Sequence, residues 1–333
     1  MVDFTVAIPT YNGEFRLPEV LDQLCKQIGT ESFSWDVVIV DNNSSDRTAS
    51  VIQRYQQFSP VPIHYCFEPK QGAAYARSRA VREAHGSLVG FLDDDNIPSC
   101  NWVSEAHAFG QQHPNAGAYG SRIHGEYEVP PPKHFERIAP FLAITQRGSK
   151  PLLYEPSRKI LPPSAGLVVR RHVWLDHVPT DPILVGRLAD NPLAGEDLEM
   201  ISYIQRSEWE VWYNPLMEIV HKIPRQRLEK YYLISLFRGM GLSRHVTRML
   251  NVKPWQRPFA FWAYLLNDTR KIVLHLLKYR LRAKTDVVAA CELEFFWSSL
   301  ISPFYLWKGG YLKSSQKQFT TPQESNPVQS QIL

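Results

Sequence analysis

Short apolar segments alternate with amphipathic segments through the first hundred residues. Three of the apolar segments, FTVAIPT, DVVIVDNNS and SLVGFLDDD, are rich in Val, Ile or Leu. Around them lie RLPEVLDQLCKQI, DRTASVIQRYQQF and AAYARSRAVREAHG, whose apolar residues recur at helical spacing. Buried strands that alternate with amphipathic helices indicate parallel βαβ units. The pattern therefore predicts the first half of a nucleotide-binding α/β sheet.

The chain changes character after about residue 120. Residues 120–163 are rich in proline and predict irregular loops that shape a second binding site. A short strand follows at AGLVVRR, and GEDLEM opens a helix that runs to Ile204. The segment EWEVWYNPLMEIVHKI then predicts a strand that leads to His221.

The length and the cysteines limit the class of protein. A chain of 333 residues suits one catalytic domain of roughly 200–250 residues with an appendage. Its four cysteines lie far apart without a C-x-x-C pair, which indicates neither a disulfide framework nor a zinc site. The opening MVDFTVAIPTYNG enters a strand pattern at once, so we expect no signal peptide. These features predict a reducing, cytoplasmic setting.

The net charge of +4 conceals an asymmetry along the chain. Residues 222–284 hold 15 Lys or Arg and two acidic residues, a local excess of +13, whereas the remainder carries a net charge of −9. Opposite charges on the two parts predict different partners for each.

The segment FLDDDNIP places three carboxylates in a row after an apolar stretch. One interpretation is a solvated turn closed by Pro98. The other is that Asp93 and Asp95 hold a hard divalent cation, because oxygen ligands suit Mg²⁺ or Mn²⁺ and the ion cancels their repulsion. Ligands bind outside the carboxyl ends of parallel strands, where Thr10, Asp41 and Asp93 all fall. Their convergence favours the binding site.

Four motifs in this order resemble the family 2 glycosyltransferases of the GT-A fold. AIPTYNG resembles the first strand and loop of that family, VVIVDNNSSDRT its second strand, FLDDD its D-x-D motif and GEDLEM its E-D motif. The resemblance covers roughly residues 4–221. LPPSAGLVVRR and HKIPRQRLEKYYL are also similar to cyanobacterial glycosyltransferases of hormogonium and other exopolysaccharide synthesis. The resemblance to the GT-A fold implies a Rossmann-like mixed sheet flanked by helices, here with a basic, mainly helical C-terminal extension.

The resemblance also implies roles for individual residues. Asp197 is expected to act as the general base. Asp95, Asp93 and His221 are expected to bind Mn²⁺ or Mg²⁺, although His221 also fits a core histidine at a strand end. The residues expected to bind the donor are Pro9, Tyr11, Asp41, Arg77, Asp93 and Asp94. Those expected to contact the acceptor are Gly166 and Glu196, although acids at a helix start also suit the helix dipole.

The implied activity is an inverting transfer from a nucleoside diphosphate sugar, with UDP preferred, to a glycan or lipid-linked acceptor in exopolysaccharide synthesis. A phosphatase or phosphotransferase with an Asp nucleophile is a rival, but such a D-x-D normally follows the first strand of the fold. Another alternative is a non-catalytic subunit of a polysaccharide synthase complex that binds nucleotide sugars or glycans. Release of a nucleoside diphosphate separates the three, and we expect no nucleic-acid partner.

The resemblance and the charge pattern together predict the domains. We expect a catalytic domain over residues 1–222, with a nucleotide-sugar half to residue 120 and an acceptor half after it. Residues 223–312 are expected to be helical, and the polar residues 313–333 disordered.

The basic helices have two interpretations. PWQRPFAFWAYLLNDTRKIVLHLLKYRLRAK combines aromatic and basic residues as membrane-interfacial helices do, which predicts peripheral binding to an anionic membrane on its cytoplasmic face. FFWSSLISPFYLW is uncharged but, at 13 residues, too short to cross a bilayer. The alternative is a helical subdomain that packs on the catalytic sheet, or a dimer interface.

Overall fold

The computed structural model describes residues 2–156, 160–188, 190–280 and 285–312. Within these ranges nine strands form one mixed sheet, in the order β3-β2-β1-β4-β8-β6-β9-β5, with β7 paired to β9 beside that path. The strands are β1 (Phe4–Thr10), β2 (Trp35–Asp41), β3 (Ile63–Phe67), β4 (Leu88–Phe91), β5 (Asn96–Pro98), β6 (Ala116–Tyr127), β7 (Leu152–Leu153), β8 (Val168–Arg170) and β9 (Glu210–Ile223).

Helices cover both faces of the sheet and continue past its last strand. The α-helices of the described ranges are α1 (Leu17–Leu24), α2 (Thr48–Phe58), α3 (Ala73–Glu83), α4 (Trp102–Gln112), α5 (Arg171–His177), α6 (Glu196–Gln205), α7 (Arg225–Leu228), α8 (Lys230–Leu242), α9 (Arg244–Leu250), α10 (Arg257–Tyr279) and α11 (Val287–Lys308). Short 3-10 helices occupy Phe135–Arg137, Ala139–Leu142 and Pro254–Gln256.

Alternate residues of β1 face opposite sides of the sheet and contribute to two separate cores. Phe4 and Ile8 are buried with residues of α1, α2 and α4, while Ala7 is buried on the other side with residues of α3, α5 and α6. A one-residue shift of β1 would exchange these faces, so the burial fixes the pairing register. The parallel pairs β1–β2 and β1–β4 consequently bring the carboxyl ends of three strands to one edge of the sheet.

The fold class predicted from the sequence is confirmed, with corrections at four strands. β3 and the short β5 were not predicted. β6 continues to Tyr127, and β7 lies at Leu152–Leu153, both within the segment that was expected to be irregular loop. β6 persists because it pairs in parallel with β9 as far as Tyr127 and Ile223, so its backbone groups are satisfied by a strand about a hundred residues away in the chain. The helix at GEDLEM is confirmed as α6.

The C-terminal helices pack on the catalytic sheet through α8 and α11. One buried cluster joins Phe135, Ile138 and Leu142 to residues of α8 and α11. Two glycines of α8 permit the approach: a Cβ at Gly239 would lie 2.1 Å from the Pro192 carbonyl, and one at Gly241 would lie 2.6 Å from Ser298 of α11. The packing alternative for the helical region therefore applies to these two helices.

The apolar stretch near the end of the chain belongs to a longer helix than its 13 residues suggested. α11 spans 22 residues with Pro303 in its interior, and among the described residues it is the one helix long and apolar enough to cross a membrane by length and composition alone. About two fifths of its most apolar window is buried in the protein. The predicted disordered tail, residues 313–333, lies outside the described residues.

Candidate active site

The ends of β1 and β2 form the first wall of a crevice. Thr10 and Asp41 are paired in register at these ends. The Asp41 carboxylate accepts hydrogen bonds from the Ser44 amide at 2.9 Å and the Tyr65 hydroxyl at 3.1 Å. Tyr11, which follows β1, is 49% exposed beside them. The structure thus brings Asp41 to the same end of the sheet as Pro9 and Tyr11, as the sequence predicted.

A second wall of the crevice depends on Asn42, which sequence reasoning missed. Its side-chain amide donates to the carbonyls of Glu68 and Lys70, and its Oδ1 accepts from the Gly72 amide at 2.8 Å. Gly72 has a φ of +140°, and a Cβ there would lie 2.7 Å from the Val185 carbonyl. Asn42 therefore fixes the loop after β3 in a conformation that suits glycine.

The three carboxylates of FLDDDNIP face three different partners. Asp94 forms a two-point ion pair with Arg16, at 2.8 and 2.9 Å, and accepts a hydrogen bond from Thr10 at 2.7 Å. Burial raises the pKa of Asp94 although Arg16 opposes the shift. Asp94 thus ties the end of β1 to the start of α1, and its role as a donor ligand stays a prediction. A Cβ at Gly13 would lie 3.0 Å from its carboxylate.

Asp95 and His221 lie together on neighbouring strand ends, with Asp95 Oδ2 3.6 Å from His221 Nε2. His221 Nδ1 lies 2.9 Å from the Leu142 carbonyl, which only accepts, so Nδ1 carries a proton and Nε2 faces Asp95. Burial would raise the pKa of Asp95, but His221 and Arg227 outweigh burial and lower it to about 2. A carboxylate oxygen and an imidazole nitrogen at this position could both bind a Mn²⁺ or Mg²⁺ ion.

Arg227 supplies the positive charge that this pair has in the structure. Its Nη1 lies 2.9 Å from Asp95 Oδ2 and donates to His221 Nε2 at 3.0 Å. Arg227 therefore contacts the same two atoms that a metal ion would bind. Arg227 lies in the segment HKIPRQRLEKYYL, and no role for it was predicted from the sequence. Its position six residues after His221 was the available signal.

Asp93, the third predicted metal ligand, is directed elsewhere. Its carboxylate pairs with Arg77 Nη2 at 3.0 Å, and Arg77 Nη1 pairs with Glu196 at 3.1 Å. Burial would lower the pKa of Arg77, but the carboxylates of Asp93, Glu196 and Asp197 raise it. Arg77, predicted to contact the nucleotide, is thus a buried clamp between the triplet and the E-D motif. Asp93 as a metal ligand stays a prediction.

Asp197 begins the helix α6 together with Glu196. Its carboxylate accepts from the backbone amides of Leu198 at 2.8 Å and Ser164 at 3.4 Å. Burial, followed by the negative charge of Glu196, raises the pKa of Asp197 to about 6, and Arg77 limits the rise. A carboxylate with a pKa near neutrality is suited to accept a proton at physiological pH.

Gly166 and Glu199 organise the backbone around this helix. Gly166, predicted to contact the acceptor, is buried with a φ of +65°, and its carbonyl accepts from the Ser121 hydroxyl at 2.6 Å. Glu199 is buried and accepts from the amides of Ile183 and Leu184 at 2.9 and 2.6 Å. Burial raises the pKa of Glu199 to about 7. Both residues therefore shape loops, and Glu199 was missed because its partners are formed by tertiary structure.

Ligand atoms of the predicted metal residues do not form a set of three within 4.8 Å of one another. In the part of the chain that the structure describes, such a set is formed by Asp36, His64 and His85, which lie away from the crevice near the start of β2. Asp36 is hydrogen-bonded there by Thr5 at 2.6 Å and lies 2.6 Å from His85 Nδ1. The crevice itself offers Asp95 and His221.

Comparison with known proteins shows which family this chain resembles in sequence. The sequence model described as Glycosyl transferase family 2 matches residues 5–171. Poly(ribitol-phosphate) beta-N-acetylglucosaminyltransferase TarS of Staphylococcus aureus is 30% identical over 113 residues, 34% of this chain and 20% of TarS. UDP-Glc:alpha-D-GlcNAc-diphosphoundecaprenol beta-1,3-glucosyltransferase WfgD of Escherichia coli is 33% identical over 107 residues, 31% of this chain and 38% of WfgD. The match spans less than two fifths of the length of either relative.

A solved structure extends the similarity to nearly the whole chain. The mannosyltransferase PcManGT of Pyrobaculum calidifontis, in complex with GDP-Man and Mn²⁺, has a TM-score of 0.52 and 20% sequence identity. The similarity covers 96% of this chain and 88% of PcManGT. At this identity the similarity shows the shared fold.

Proposed function

The chain belongs to glycosyl transferase family 2, and on that premise we propose that it transfers a sugar from a UDP-sugar to a glycan or lipid-linked acceptor with inversion at the anomeric carbon. The observation that carries this proposal is the Arg77 clamp, with its ion pairs of 3.0 and 3.1 Å. The clamp holds the carboxylates of the D-x-D motif and of the E-D motif at a fixed separation. Sugar transfer requires the donor diphosphate at one motif and the acceptor hydroxyl at the other to be held at a fixed distance from each other.

The donor side is formed by Asp41, Tyr11 and the backbone near Pro9. Asp41 ends a buried strand with its carboxylate held by Ser44 and Tyr65, so it can accept hydrogen bonds from a base in a fixed direction. The name of WfgD specifies UDP-Glc, which supports a UDP-sugar, whereas PcManGT was solved with GDP-Man. GDP is therefore the competing nucleotide in any binding test.

Asp95 and His221 are the residues that would hold Mn²⁺ or Mg²⁺. When bound, the ion supplies positive charge that stabilises the diphosphate as it leaves. Arg16 and Arg227 add fixed positive charge on either side of the triplet, because both are ion-paired to its carboxylates. These arginines balance the charge of the triplet, so the bound ion would supply the positive charge for the diphosphate.

Asp197 takes the proton in the transfer step. The acceptor oxygen attacks the anomeric carbon while its proton passes to the Asp197 carboxylate. The bond from the anomeric carbon to the phosphate oxygen breaks, and its electron pair leaves with the nucleoside diphosphate. A single displacement inverts the configuration, so an α-linked donor gives a β-linked product.

The alternative is a non-catalytic subunit that binds nucleotide sugars within a polysaccharide synthase complex. Such a subunit would bind UDP but would release none from a UDP-sugar in the presence of acceptor. A phosphatase would instead release inorganic phosphate. The role in exopolysaccharide synthesis, which was expected from the sequence alone, remains part of this proposal.

Replacing Asp95 by Asn is expected to abolish the dependence of UDP binding on Mn²⁺. The substitution keeps the size of the side chain but removes the charge that attracts the cation. Calorimetric titration of UDP with and without Mn²⁺ measures the effect. Asp181→Asn, which removes an exposed carboxylate paired with Lys70, is the control. An Asp95→Asn protein that still binds UDP more tightly with Mn²⁺ would restore the solvated-turn interpretation.

We also infer that α10 docks on the surface of an anionic membrane. Five apolar residues at helical spacing are 65–74% exposed along one face of this helix and the turn before it: Trp255, Phe259, Trp262, Leu266 and Leu277. Trp307 of α11, 76% exposed, adds a further aromatic residue. Exposed apolar stripes of this length are rare on surfaces that face only water.

The charge around the stripe favours lipid over a protein partner. Lys253, Arg270, Lys278 and Arg280 are exposed on the same segment, in the region whose excess charge is +13. Arg282 and Lys284, at the end of the same basic segment, lie outside the described residues. Basic residues near anionic lipid contribute on the order of 1 kcal/mol each. We therefore propose a peripheral position on the cytoplasmic face of the membrane.

The triple substitution of Phe259, Trp262 and Leu266 by Ser is expected to release the protein from anionic vesicles. Removing three exposed apolar side chains should weaken binding by on the order of 10²-fold or more. Flotation with vesicles of phosphatidylglycerol and phosphatidylcholine at low salt measures the loss. Phe58→Ser, at a similarly exposed residue of α2, is the control. Wild-type protein that stays with the soluble fraction would contradict the proposal.

A further inference from the structure

A cavity of about 170 Å³ lies behind the first turn of α6, where the C-terminal helices meet it. Its lining combines the start of α6 with residues of α8, α9, α10 and α11. Among the lining residues are Gly195, Leu198, Met240, Arg244, Tyr264 and Phe295. At about 30 Å³ for a water molecule, this volume holds roughly five waters, enough for a phosphate group and a few carbon atoms.

Arg244 brings an uncompensated positive charge to this cavity. Its Nε is buried without a hydrogen bond, and no carboxylate within the described ranges forms an ion pair with its guanidinium. The neighbouring Arg248 differs, because Asp268 binds it at two points, one of them at 2.7 Å. Arg244 stacks on the ring of Phe295 at 4.9 Å, which offsets only part of the loss of hydration. The carboxylate of Asp268 is therefore bound by Arg248, and Arg244 has no carboxylate partner among the described residues.

The protonation of Arg244 is retained in spite of its surroundings. Burial and the charge of Arg248 lower the pKa of Arg244 to about 10, so the side chain is still cationic near neutral pH. A buried charge of this kind is normally matched by an anion, because removing it from water carries a penalty of several kcal/mol. The missing partner is therefore expected to be an anionic ligand.

The rest of the lining is largely apolar, which restricts that ligand further. Phe141, Leu161, Met240 and Phe295 line the cavity together with Arg244. A free inorganic anion would leave these surfaces without a partner. An anion that continues into a hydrocarbon chain would contact both the guanidinium and the apolar wall.

The cavity lies next to the segment that carries the proposed general base, Asp197. The Ser243 hydroxyl, one residue before Arg244, accepts a hydrogen bond from the Ala194 amide at 3.2 Å. Ala194 and Gly195 precede α6, so the cavity lining includes the residues on both sides of the Glu196–Asp197 pair. A group held by Arg244 would thus contact the first turn of α6, the turn that also carries Asp197.

We propose that this cavity, with Arg244 as its cation, binds the phosphate of an acceptor sugar that is linked through phosphate to a lipid. The inference rests on the proposed function and specifies its acceptor. The sugar would lie toward Asp197 and the hydrocarbon chain would leave past Tyr264 and Phe295, toward the exposed stripe of α10. One molecule would then contact the base, the cavity and the membrane face.

The test is calorimetric titration of dodecyl phosphate, below its micellar concentration, into protein saturated with UDP and Mn²⁺. UDP occupies the donor crevice, so added binding reports a second site. Wild-type protein is expected to bind dodecyl phosphate, and Arg244→Gln should weaken this binding by roughly 10–100-fold, the range for a lost charged hydrogen bond. Arg238→Gln on α8, an exposed arginine paired with Glu294, is the matched control and should leave it unchanged.

Equal binding of dodecyl phosphate by wild type and Arg244→Gln would overturn the inference. So would inorganic phosphate or dodecyl maltoside that binds as tightly, because the site requires both parts of the ligand. UDP binding is measured on every variant. A wild-type protein that does not bind UDP would contradict the proposed function. A wild-type protein that binds UDP but not dodecyl phosphate would contradict this inference alone. Should Arg244→Gln fail to fold, Met240→Trp, which fills the cavity, must lose dodecyl phosphate and retain UDP.

Discussion

Asp197→Asn is expected to reduce sugar transfer by roughly 10²–10⁴-fold, the usual contribution of a positioned acid or base. The amide cannot accept the acceptor proton, yet it preserves the shape of the carboxylate and its hydrogen bonds from Leu198 and Ser164 in part. Binding of UDP with Mn²⁺ should remain within about twofold of wild type, because Asp197 is proposed to act on the acceptor rather than on the donor. The rate of UDP release from a UDP-sugar with acceptor measures the effect.

The pH dependence of transfer provides an independent measurement of the same role. Because the pKa of Asp197 is raised to about 6, the wild-type rate should rise with pH through that value, where the carboxylate loses its proton. The residual rate of Asp197→Asn should lack this rise. Glu199→Gln is a useful control, since Glu199 also has a raised pKa but faces the loop at Ile183 and Leu184. Unchanged transfer by Asp197→Asn would remove Asp197 from the mechanism.

Arg77→Met is expected to lower the free energy of unfolding by about 3–5 kcal/mol, as when one partner of a buried ion pair is removed. Methionine fills much of the same volume but leaves Asp93, Glu196 and Asp197 facing one another without the cation. Urea denaturation followed by circular dichroism measures the change. Arg79→Met, on the same helix with its side chain 38% exposed and paired to Glu83, should change stability by less than about 1 kcal/mol.

The deficit of Arg77→Met should depend on pH. Without Arg77 the carboxylates favour their protonated forms in the folded state. The free energy of unfolding of Arg77→Met should therefore fall as the pH rises and these carboxylates ionise. The difference from wild type should therefore be larger at pH 8 than at pH 5. A deficit that does not change between these values would indicate that Arg77 acts through packing rather than through its charge.

The βαβ half of the fold could be predicted because its signals are local. Each of β1, β2 and β4 is a short buried run flanked by amphipathic helices, and the polar residue at the end of each strand can be identified from the chain alone. β3, β5 and the length of β6 could not be predicted in this way. About half of the β6 residues beyond Ser121 are polar. The strand continues because it pairs with β9, and this pairing cannot be recognised from the alternation of apolar and polar residues in the sequence.

The site was predictable in its residue types but not in its pairings. The carboxylates of the triplet and of GEDLEM stand out in the sequence, whereas the arginines that face them do not. Arg16 meets Asp94 from 78 residues away, and Arg77 reaches Glu196 from 119 residues away. Three adjacent carboxylates are therefore tolerated because each has its own cation, Arg77, Arg16 or Arg227.

The two glycines of α8 have a consequence for how the chain can be divided. Pro192 and Ser298 occupy the space that a side chain at Gly239 or Gly241 would need, so α8 is wedged between the approach to α6 and the helix α11. A chain cut after residue 222, at the boundary that charge and sequence suggest, would expose the apolar residues Phe135, Ile138 and Leu142 to water. Excising the helical appendage would thus uncover an apolar face of the catalytic unit, and a chain ending at residue 222 is expected to be less soluble than the full chain.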